Sequence, residues 1–182
     1  MKIFETPRLL VRVLTRKDEP FFHEMESNPE VMKYTGSEPK DRDTNRKELE
    51  DLISRYSEAA NNFYVWAITM QKDTFVGTVA FIKNTHGEWE IGYRLLESHW
   101  GKGYGTEITK GLLDFVFDNN KAEEVVAYVN KENKASSKIL MKFMTLKSEF
   151  WNPHENCYDQ KFVLTRKKWE QFCTKNYSTG SP

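Results

Sequence analysis

Polar and apolar residues alternate with a period of two in several short segments, which is the pattern of β-strands that bury one face. In residues 88–95 every second residue from Trp89 onward is large and apolar. Short turns, such as Gln71–Asp73, separate neighbouring segments and favour antiparallel hairpins. Seven strands are predicted, at about residues 8–14, 63–70, 74–82, 88–95, 123–129, 146–151 and 157–164.

Apolar residues at spacings of three and four predict helices between these strands. The longest helix follows the strand at 88–95 and carries Ile108, Leu112, Phe115 and Val116 on one side. The others are expected from about residue 18 to the Asn-Pro pair at 28–29, over 43–58 with Asp43 or Thr44 as N-cap, within 133–143, and from about residue 166.

The order of these elements predicts an α+β fold. The strand at 88–95, the long helix and the strand at 123–129 form a βαβ unit, so these two strands should be parallel and joined by a right-handed crossover. No repeat or linker interrupts the pattern. We therefore expect one domain over residues 1–177 and a frayed tail over 178–182.

Composition narrows the class of protein only a little. The 182 residues contain 27 Lys and Arg and 27 Asp and Glu, so the net charge of zero favours neither nucleic acid nor an anionic membrane. No apolar run approaches the length of a bilayer span, and the N-terminal residues lack a signal-peptide core. Cys157 and Cys173 are expected to be reduced thiols. These features predict a soluble cytoplasmic protein, either a monomer or a homodimer.

Three glycines lie between the strand at 88–95 and the long helix: Gly101, Gly103 and Gly105. Glycines at the start of a helix let main-chain N–H groups approach a ligand, and the helix N-terminus adds partial positive charge. Such a segment suits an anion such as a pyrophosphate. The spacing G-x-G-x-G matches neither the Walker pattern nor the dinucleotide pattern G-x-G-x-x-G, which weakens both nucleotide hypotheses.

The sequence WGKGYG behind a strand reading EIGYRL resembles the coenzyme A loop of the GNAT superfamily of N-acetyltransferases, whose pattern is [RQ]-x-x-G-x-[GA]. Gly103 and Gly105 stand at its two small positions. Trp100 stands where Arg or Gln is commoner, which resembles the RimJ/RimL-like subgroup. An ordinary glycine-rich turn is the alternative interpretation of the loop alone.

The element order also resembles the GNAT fold over essentially the whole chain. The resemblance implies a mixed, mostly antiparallel central sheet of about seven strands, flanked by helices and splayed open between strands four and five. It implies that pantetheine lies in that gap against residues 91–95, and that the first two helices form a wall of the acceptor site. The implied cofactor-binding residues are Ile91, Gly92, Tyr93, Leu95, Trp100, Gly101, Lys102, Gly103, Tyr104, Gly105, Thr106, Asn133 and Ser136.

The activity implied is transfer of the acetyl group of acetyl-CoA to a primary amine by direct attack in a ternary complex. The amine is either a protein N-terminus or a small molecule, and no metal is expected. A non-catalytic acyl-CoA-binding module and a nucleotide-binding protein are the competing hypotheses.

A base is needed because an alkyl amine is protonated at neutral pH. Glu90, on the strand at the cleft and opposite in direction to Trp89 and Ile91, is the first candidate. Glu88 lies on the same face and is the substitute, and a surface carboxylate is the alternative interpretation. By resemblance, a main-chain N–H within residues 91–93 would stabilise the oxyanion.

Asn133 and Ser136 match the family's N-x-x-S, in which the Asn contacts pantetheine and the Ser lies near the coenzyme. Asn133 is equally suited to be a helix N-cap, and Ser137 is a fallback for Ser136. Leu140 stands where many GNAT enzymes carry a Tyr acid, so water or Ser136 would protonate the leaving thiolate, or the thiolate would leave without being protonated. Met144 replaces a usual Gly, so that turn must adopt a negative φ or shift its register.

Overall fold

The structure is a computed structural model that describes residues 1–70, 73–119 and 121–177. Two residues of the turn predicted at Gln71–Asp73 lie outside the described residues, and so does the tail predicted at 178–182.

The described strands form one eight-stranded sheet in the order β1-β2-β3-β4-β5-β6-β8-β7. Only β5 and β6 are parallel, and the other neighbours in this described sheet are antiparallel. The predicted α+β class with a mostly antiparallel mixed sheet is confirmed. The bounds are β1 (Lys2–Glu5), β2 (Leu9–Val13), β3 (Phe63–Met70), β4 (Phe75–Lys83), β5 (Trp89–Leu95), β6 (Glu124–Asn130), β7 (Thr145–Asn152) and β8 (Cys157–Thr165).

The strand missing from the prediction is β1, which pairs with β2 at the edge of the sheet. Its four residues, KIFE, include two charged side chains and are too few to show an alternation. The strand forms because β2 offers an open edge for main-chain hydrogen bonds, and a sequence pattern does not report that edge.

Six α-helices are described: α1 (Glu19–Glu26), α2 (Pro29–Met32), α3 (Arg42–Arg55), α4 (Tyr104–Asp118), α5 (Lys134–Leu140) and α6 (Arg166–Tyr177). The predicted N-cap of α3 was wrong: Asp41, rather than Asp43 or Thr44, accepts a hydrogen bond from the Thr44 N–H at 2.8 Å. The apolar stripe of this helix begins only at Leu49, so periodicity could not choose among the neighbouring capping residues.

The helices cover the two faces of the sheet and enclose a core on each side. One core packs β-strand residues such as Trp66 and Ile91 with Ile108 of α4 and Trp169 of α6. The other packs Phe22 of α1 and Leu49 of α3 with sheet residues. The turn at Met144 adopts a negative φ, as one of the two predicted outcomes required, and the Met144 side chain is buried in the first core.

The sheet opens between β5 and β6. Seven register pairs join β4 to β5, whereas one pair, Glu90 with Val126, joins β5 to β6. The two strands therefore diverge from Glu90 toward Leu95. This gap is the expected splay, because β5 and β6 are the fourth and fifth strands of the prediction.

Candidate active site

A cavity of about 750 Å³ occupies the gap, and we call it the cleft. One part is lined by the loop before α4 and the start of α5, including Gly103 and Ser136. The opposite part is lined by α1, α2 and α3, including Glu26 and Leu52. The cavity therefore borders both faces of the sheet.

The side chains of β5 divide between these two ends. Tyr93 points toward α4 and α5, where its hydroxyl lies 3.4 Å from Ser136 Oγ. Arg94 points the other way, and its Nη1 donates to Glu26 Oε1 of α1 at 2.6 Å. The period-two pattern of this strand therefore places consecutive residues in different halves of the cleft.

The loop glycines have different structural roles. Gly101 and Gly103 have φ values of +72° and +81°, a conformation that L side chains rarely adopt. Gly103 is the N-cap of α4, and a Cβ on Gly101 would meet nothing within 4 Å. A Cβ on Gly105 would instead lie 2.9 Å from both Tyr93 Oη and Ile139 Cδ1. The first two glycines shape an open turn, and the third lets α4 pack closely against β5 and α5.

The loop is held by side chains from the N-terminal segment. Glu107 Oε1 accepts from Thr6 Oγ1 at 2.6 Å, and Glu107 Oε2 accepts from Arg8 Nε at 2.6 Å. Arg8 also donates through Nη1 to Lys102 O at 3.0 Å and lies over the Tyr104 ring. Burial opposes ionisation of Glu107, but the hydrogen bonds from Thr6 and Arg8 outweigh it and lower the Glu107 pKa.

We call Thr6, Arg8 and Glu107 the loop clamp. Sequence analysis missed it, because the partners lie about a hundred positions apart. The available signal was local: Thr6 and Arg8 are two polar residues with the spacing of one strand face, directly before β2.

Most of the sequence-predicted binding residues line the cleft, but two do not. Lys102 Nζ turns back to Ser98 O at 2.7 Å, and Thr106 Oγ1 accepts from Lys142 Nζ at 3.2 Å. The predicted residues that line the cleft are Ile91, Gly92, Tyr93, Leu95, Trp100, Gly101, Gly103, Tyr104, Gly105, Asn133 and Ser136.

The main chain of β5 presents hydrogen-bonding groups to the gap. Leu96 N–H donates to Val76 O, and Asn84 N–H donates to Glu88 O. Because antiparallel bonds recur at every second residue, the even-numbered residues between these points face β4. The main-chain groups of Tyr93 and Leu95 consequently face the gap, beyond the single pair that joins β5 to β6.

The start of α5 supplies polar groups from the other wall. Asn133 is the N-cap, and its Oδ1 accepts from the Ser136 N–H at 3.1 Å. Ser136 lines the cleft, whereas Ser137 is buried and donates to Gln160 Oε1 at 2.8 Å. Burial raises the pKa of the Tyr93 hydroxyl beside Ser136, so that hydroxyl stays protonated at neutral pH. Leu140 also lines the cleft.

The two candidate bases have contrasting environments. Glu90 is half-buried, its Oε2 accepts from Asn84 Nδ2 at 3.2 Å, and burial raises its pKa. Glu88 accepts from Lys161 Nζ at 2.5 Å and from Tyr128 at 2.7 Å, and the Lys161 contact lowers its pKa. Glu90 does not line the cleft itself, but Gly92 and Ile82 beside it do. Of the two, Glu90 is the one whose pKa moves upward, the direction that favours accepting a proton.

The cleft thus combines a sheet that opens between its two parallel strands with a glycine-rich helix start at the opening. The sequence model of the family described as "Acetyltransferase (GNAT) domain" matches residues 8–143. The chain therefore belongs to the GNAT family and is an acetyltransferase.

Known proteins agree with this assignment. The chain is 32% identical over 144 residues to an uncharacterized N-acetyltransferase p20 from Bacillus licheniformis, covering 77% of this chain and 80% of that protein. It is similar in fold to spermidine N-acetyltransferase from Vibrio cholerae in complex with CoA and spermine, with a TM-score of 0.75, 21% identity, and coverage of 89% and 98% of the two chains.

A second solved structure has the same fold. It is RimL, the ribosomal L7/L12 alpha-N-protein acetyltransferase in complex with coenzyme A, with a TM-score of 0.76 and 15% identity. The match covers 91% of this chain and 98% of that one. At this identity the likeness concerns the fold.

Proposed function

We propose that the protein transfers the acetyl group of acetyl-CoA to a primary amine, by direct attack while both substrates are bound. The observation that carries this proposal is the cleft, which joins the glycine loop on one side of the sheet to the α1–α3 wall on the other. A donor and an acceptor that enter from opposite sides meet at β5. The acceptor is a protein N-terminal amine or a small-molecule amine, and the protein would belong to the RimJ/RimL-like subgroup.

The acetyl-CoA donor would bind at the α4 side. Main-chain N–H groups of the open turn at Gly101 and Gly103 would hold the diphosphate, helped by the N-terminus of α4. The pantetheine arm would follow the main-chain groups of Tyr93 and the Leu95 N–H, with Asn133 opposite, because the Leu95 carbonyl already accepts from Trp100 Nε1 at 3.0 Å. The fold neighbours from Vibrio cholerae and the RimL protein were both solved with CoA, which supports this choice of donor.

The chemistry needs two proton movements. The amine nitrogen attacks the thioester carbon, the C–S bond breaks, and the proton lost by nitrogen goes to Glu90 through a bridging water. The Tyr93 N–H donates to the carbonyl oxygen as negative charge develops on it. Ser136 or water returns a proton to the departing thiolate. The protonated Tyr93 hydroxyl lies beside Ser136 Oγ and could replace the proton that Ser136 gives to the thiolate.

The cellular location of the protein is proposed from two further observations. Cys157 and Cys173 are both unpaired, as expected in a reducing compartment, so we place the protein in the cytoplasm. In the part of the chain that the structure describes, no helix combines the length and the apolarity needed to cross a membrane. Residues 1–177 would act as one domain.

The test is thiol release from acetyl-CoA in the presence of a panel of amines and short peptides. We expect release that depends on the acceptor, with no release when the acceptor is omitted. A non-catalytic acyl-CoA-binding module is the second candidate, because Leu140 lines the cleft where a family acid often stands. Tight CoA binding without turnover on any acceptor would favour that candidate.

A further inference from the structure

One carboxylate oxygen of a residue that lines the α1–α3 part of the cleft has no hydrogen-bond partner among the described residues. Glu26, the last residue of α1, lines the cleft and is only 1% exposed. Its Oε1 accepts from Arg94 Nη1 at 2.6 Å. Its Oε2 is buried and, among the described residues, receives no hydrogen bond.

Lys40 does not satisfy this oxygen. Lys40 Nζ lies 3.9 Å from Glu26 Oε2, beyond hydrogen-bond distance, and donates instead to Glu48 Oε2 at 2.5 Å. A buried carboxylate oxygen without a donor is unfavourable, because it has lost its water and gained no replacement. The fold thus leaves one oxygen of a cleft-lining carboxylate without a donor, and Arg94 holds the other oxygen.

The surroundings of Glu26 indicate what would supply the donor. Apolar side chains that line the same part of the cleft are Phe22, Val31, Leu52, Phe63 and Val65. A ligand that satisfies both features carries N–H donors at one end and an apolar stem behind them. An aliphatic primary amine has this chemistry, and a carboxylate or a phosphate does not.

We propose that Glu26 Oε2 binds the amino group of the acceptor, and that the acceptor is a primary amine on an apolar stem. This inference rests on the proposed function, since it identifies the second substrate of that reaction. Glu26 is then a binding residue on the acceptor side, on the opposite face of the sheet from the CoA loop.

The kinetic test uses hexylamine as the acceptor and the variant Glu26→Gln, which keeps the shape of the side chain but removes the charge. Loss of a hydrogen bond to a charged group should raise the KM for hexylamine by about 10- to 100-fold. The KM for acetyl-CoA should stay unchanged. An unchanged KM for hexylamine, or equal changes in both KM values, would overturn the proposal.

The matched control is Glu24→Gln, the same change on the same helix at an exposed position outside the cleft. It should leave both KM values at the wild-type level, and thermal melting should find both variants folded. If Glu24→Gln raised the hexylamine KM as much as Glu26→Gln did, a general charge effect would replace the specific contact.

A second measurement needs no variant and no turnover. Crystals of the wild-type protein grown with CoA and hexylamine should place the amine nitrogen about 2.7–3.2 Å from Glu26 Oε2. An amine bound elsewhere in the cleft contradicts the inference, even if thiol release is observed. Absence of thiol release with every amine would instead contradict the proposed function, and the crystal would still decide the role of Glu26.

Discussion

At the scale of single residues, the environment of a carboxylate decides the direction in which its pKa moves. Burial raises the pKa of Glu90, whereas the contact with Lys161 lowers the pKa of Glu88. The two side chains lie two positions apart on the same side of the chain, so their difference comes from neighbours that are distant in sequence.

Replacing Glu90 with Gln should therefore lower kcat/KM by about 100-fold or more, because a general base of this kind contributes that much. In the wild type, the acid limb of the kcat/KM profile should lie above the pH range of an ordinary carboxyl group and should disappear in the variant. Steady-state kinetics over pH measures both. A larger loss in Glu88→Gln than in Glu90→Gln would move the role of base to Glu88.

The substitution Glu90→Gln should also make the folded protein more stable at neutral pH. A carboxyl whose folded pKa is raised above its unfolded pKa favours the folded state when protonated, and that contribution is lost as the pH rises through the interval between the two values. Glu90→Gln stays neutral, so its melting temperature should exceed that of the wild type at pH 7 and equal it near pH 4. A gain of the same size at both pH values would show that the charge of Glu90 is not its cause.

Gly103 allows a matched test of the loop. Gly103→Ala places a side chain at a φ of +81° and should lower the free energy of unfolding by about 1–2 kcal/mol. It should also weaken CoA binding, because the turn at Gly103 lines the cleft. Gly87→Ala places the same strain at a φ of +75° in a turn that does not line the cleft. It should lower the melting temperature similarly and leave the calorimetric Kd for CoA unchanged. Equal losses of affinity would contradict a special role for Gly103.

At the scale of elements, the loop clamp joins the segment before β2 to the first turn of α4. It fixes the loop from outside the cleft, through the Glu107 carboxylate and the Arg8 guanidinium. An isolated exposed ion pair contributes little to stability. Glu107 is not isolated in this way, because it accepts three hydrogen bonds, from Thr6 Oγ1, Arg8 N–H and Arg8 Nε.

Glu107→Ala should consequently raise the Kd for CoA while the KM for the acceptor stays near its wild-type value. The loop would lose its anchor, and ordering it would then oppose binding. Titration calorimetry measures the Kd. Asp114→Ala is the control, because it removes a carboxylate from the same helix two turns further on, where Asp114 pairs with Lys110. An equal effect of both substitutions would mean that the helix as a whole, and not the clamp, controls binding.

At the scale of the whole molecule, the cleft passes through the sheet and no thiol reaches it. Neither Cys157 nor Cys173 lines the cleft. Burial raises the pKa of Cys157 to about 11, so its thiol is also a poor nucleophile at neutral pH. Transfer through a cysteine intermediate therefore has no support in this architecture.

We accordingly expect initial velocities, plotted as reciprocals against acceptor concentration at several fixed concentrations of acetyl-CoA, to give intersecting lines. That pattern follows from a ternary complex, since both substrates must be bound before transfer. The acetyl-CoA-treated protein, analysed by mass spectrometry without an acceptor, should carry no acetyl group. Parallel lines together with an acetylated protein would replace direct attack with a two-step reaction.

The local pattern of the sequence was enough to predict seven of the eight described strands and the parallel pair, and the resemblance to the GNAT family supplied the position of the gap. Period-two and helical patterns reflect which side of each element is buried. They can therefore be recognised in the sequence without knowing which elements pack together. The motif at residues 100–105 likewise placed the glycine turn at the start of α4. The four-residue β1 and the Asp41 cap were missed, because their partners rather than their own patterns define them.

The tertiary structure alone decided which polar atoms meet. Thr6 and Arg8 reach Glu107, Arg94 reaches Glu26, and Lys161 reaches Glu88, across separations of 68 to 101 positions. Charge, hydrogen bonding and burial at these points depend on distances of a few ångströms between segments that the chain brings together only on folding. The sequence therefore determined the order of helices and strands and the family. The fold determined the raised pKa of Glu90 and left Glu26 Oε2 without a hydrogen-bond donor.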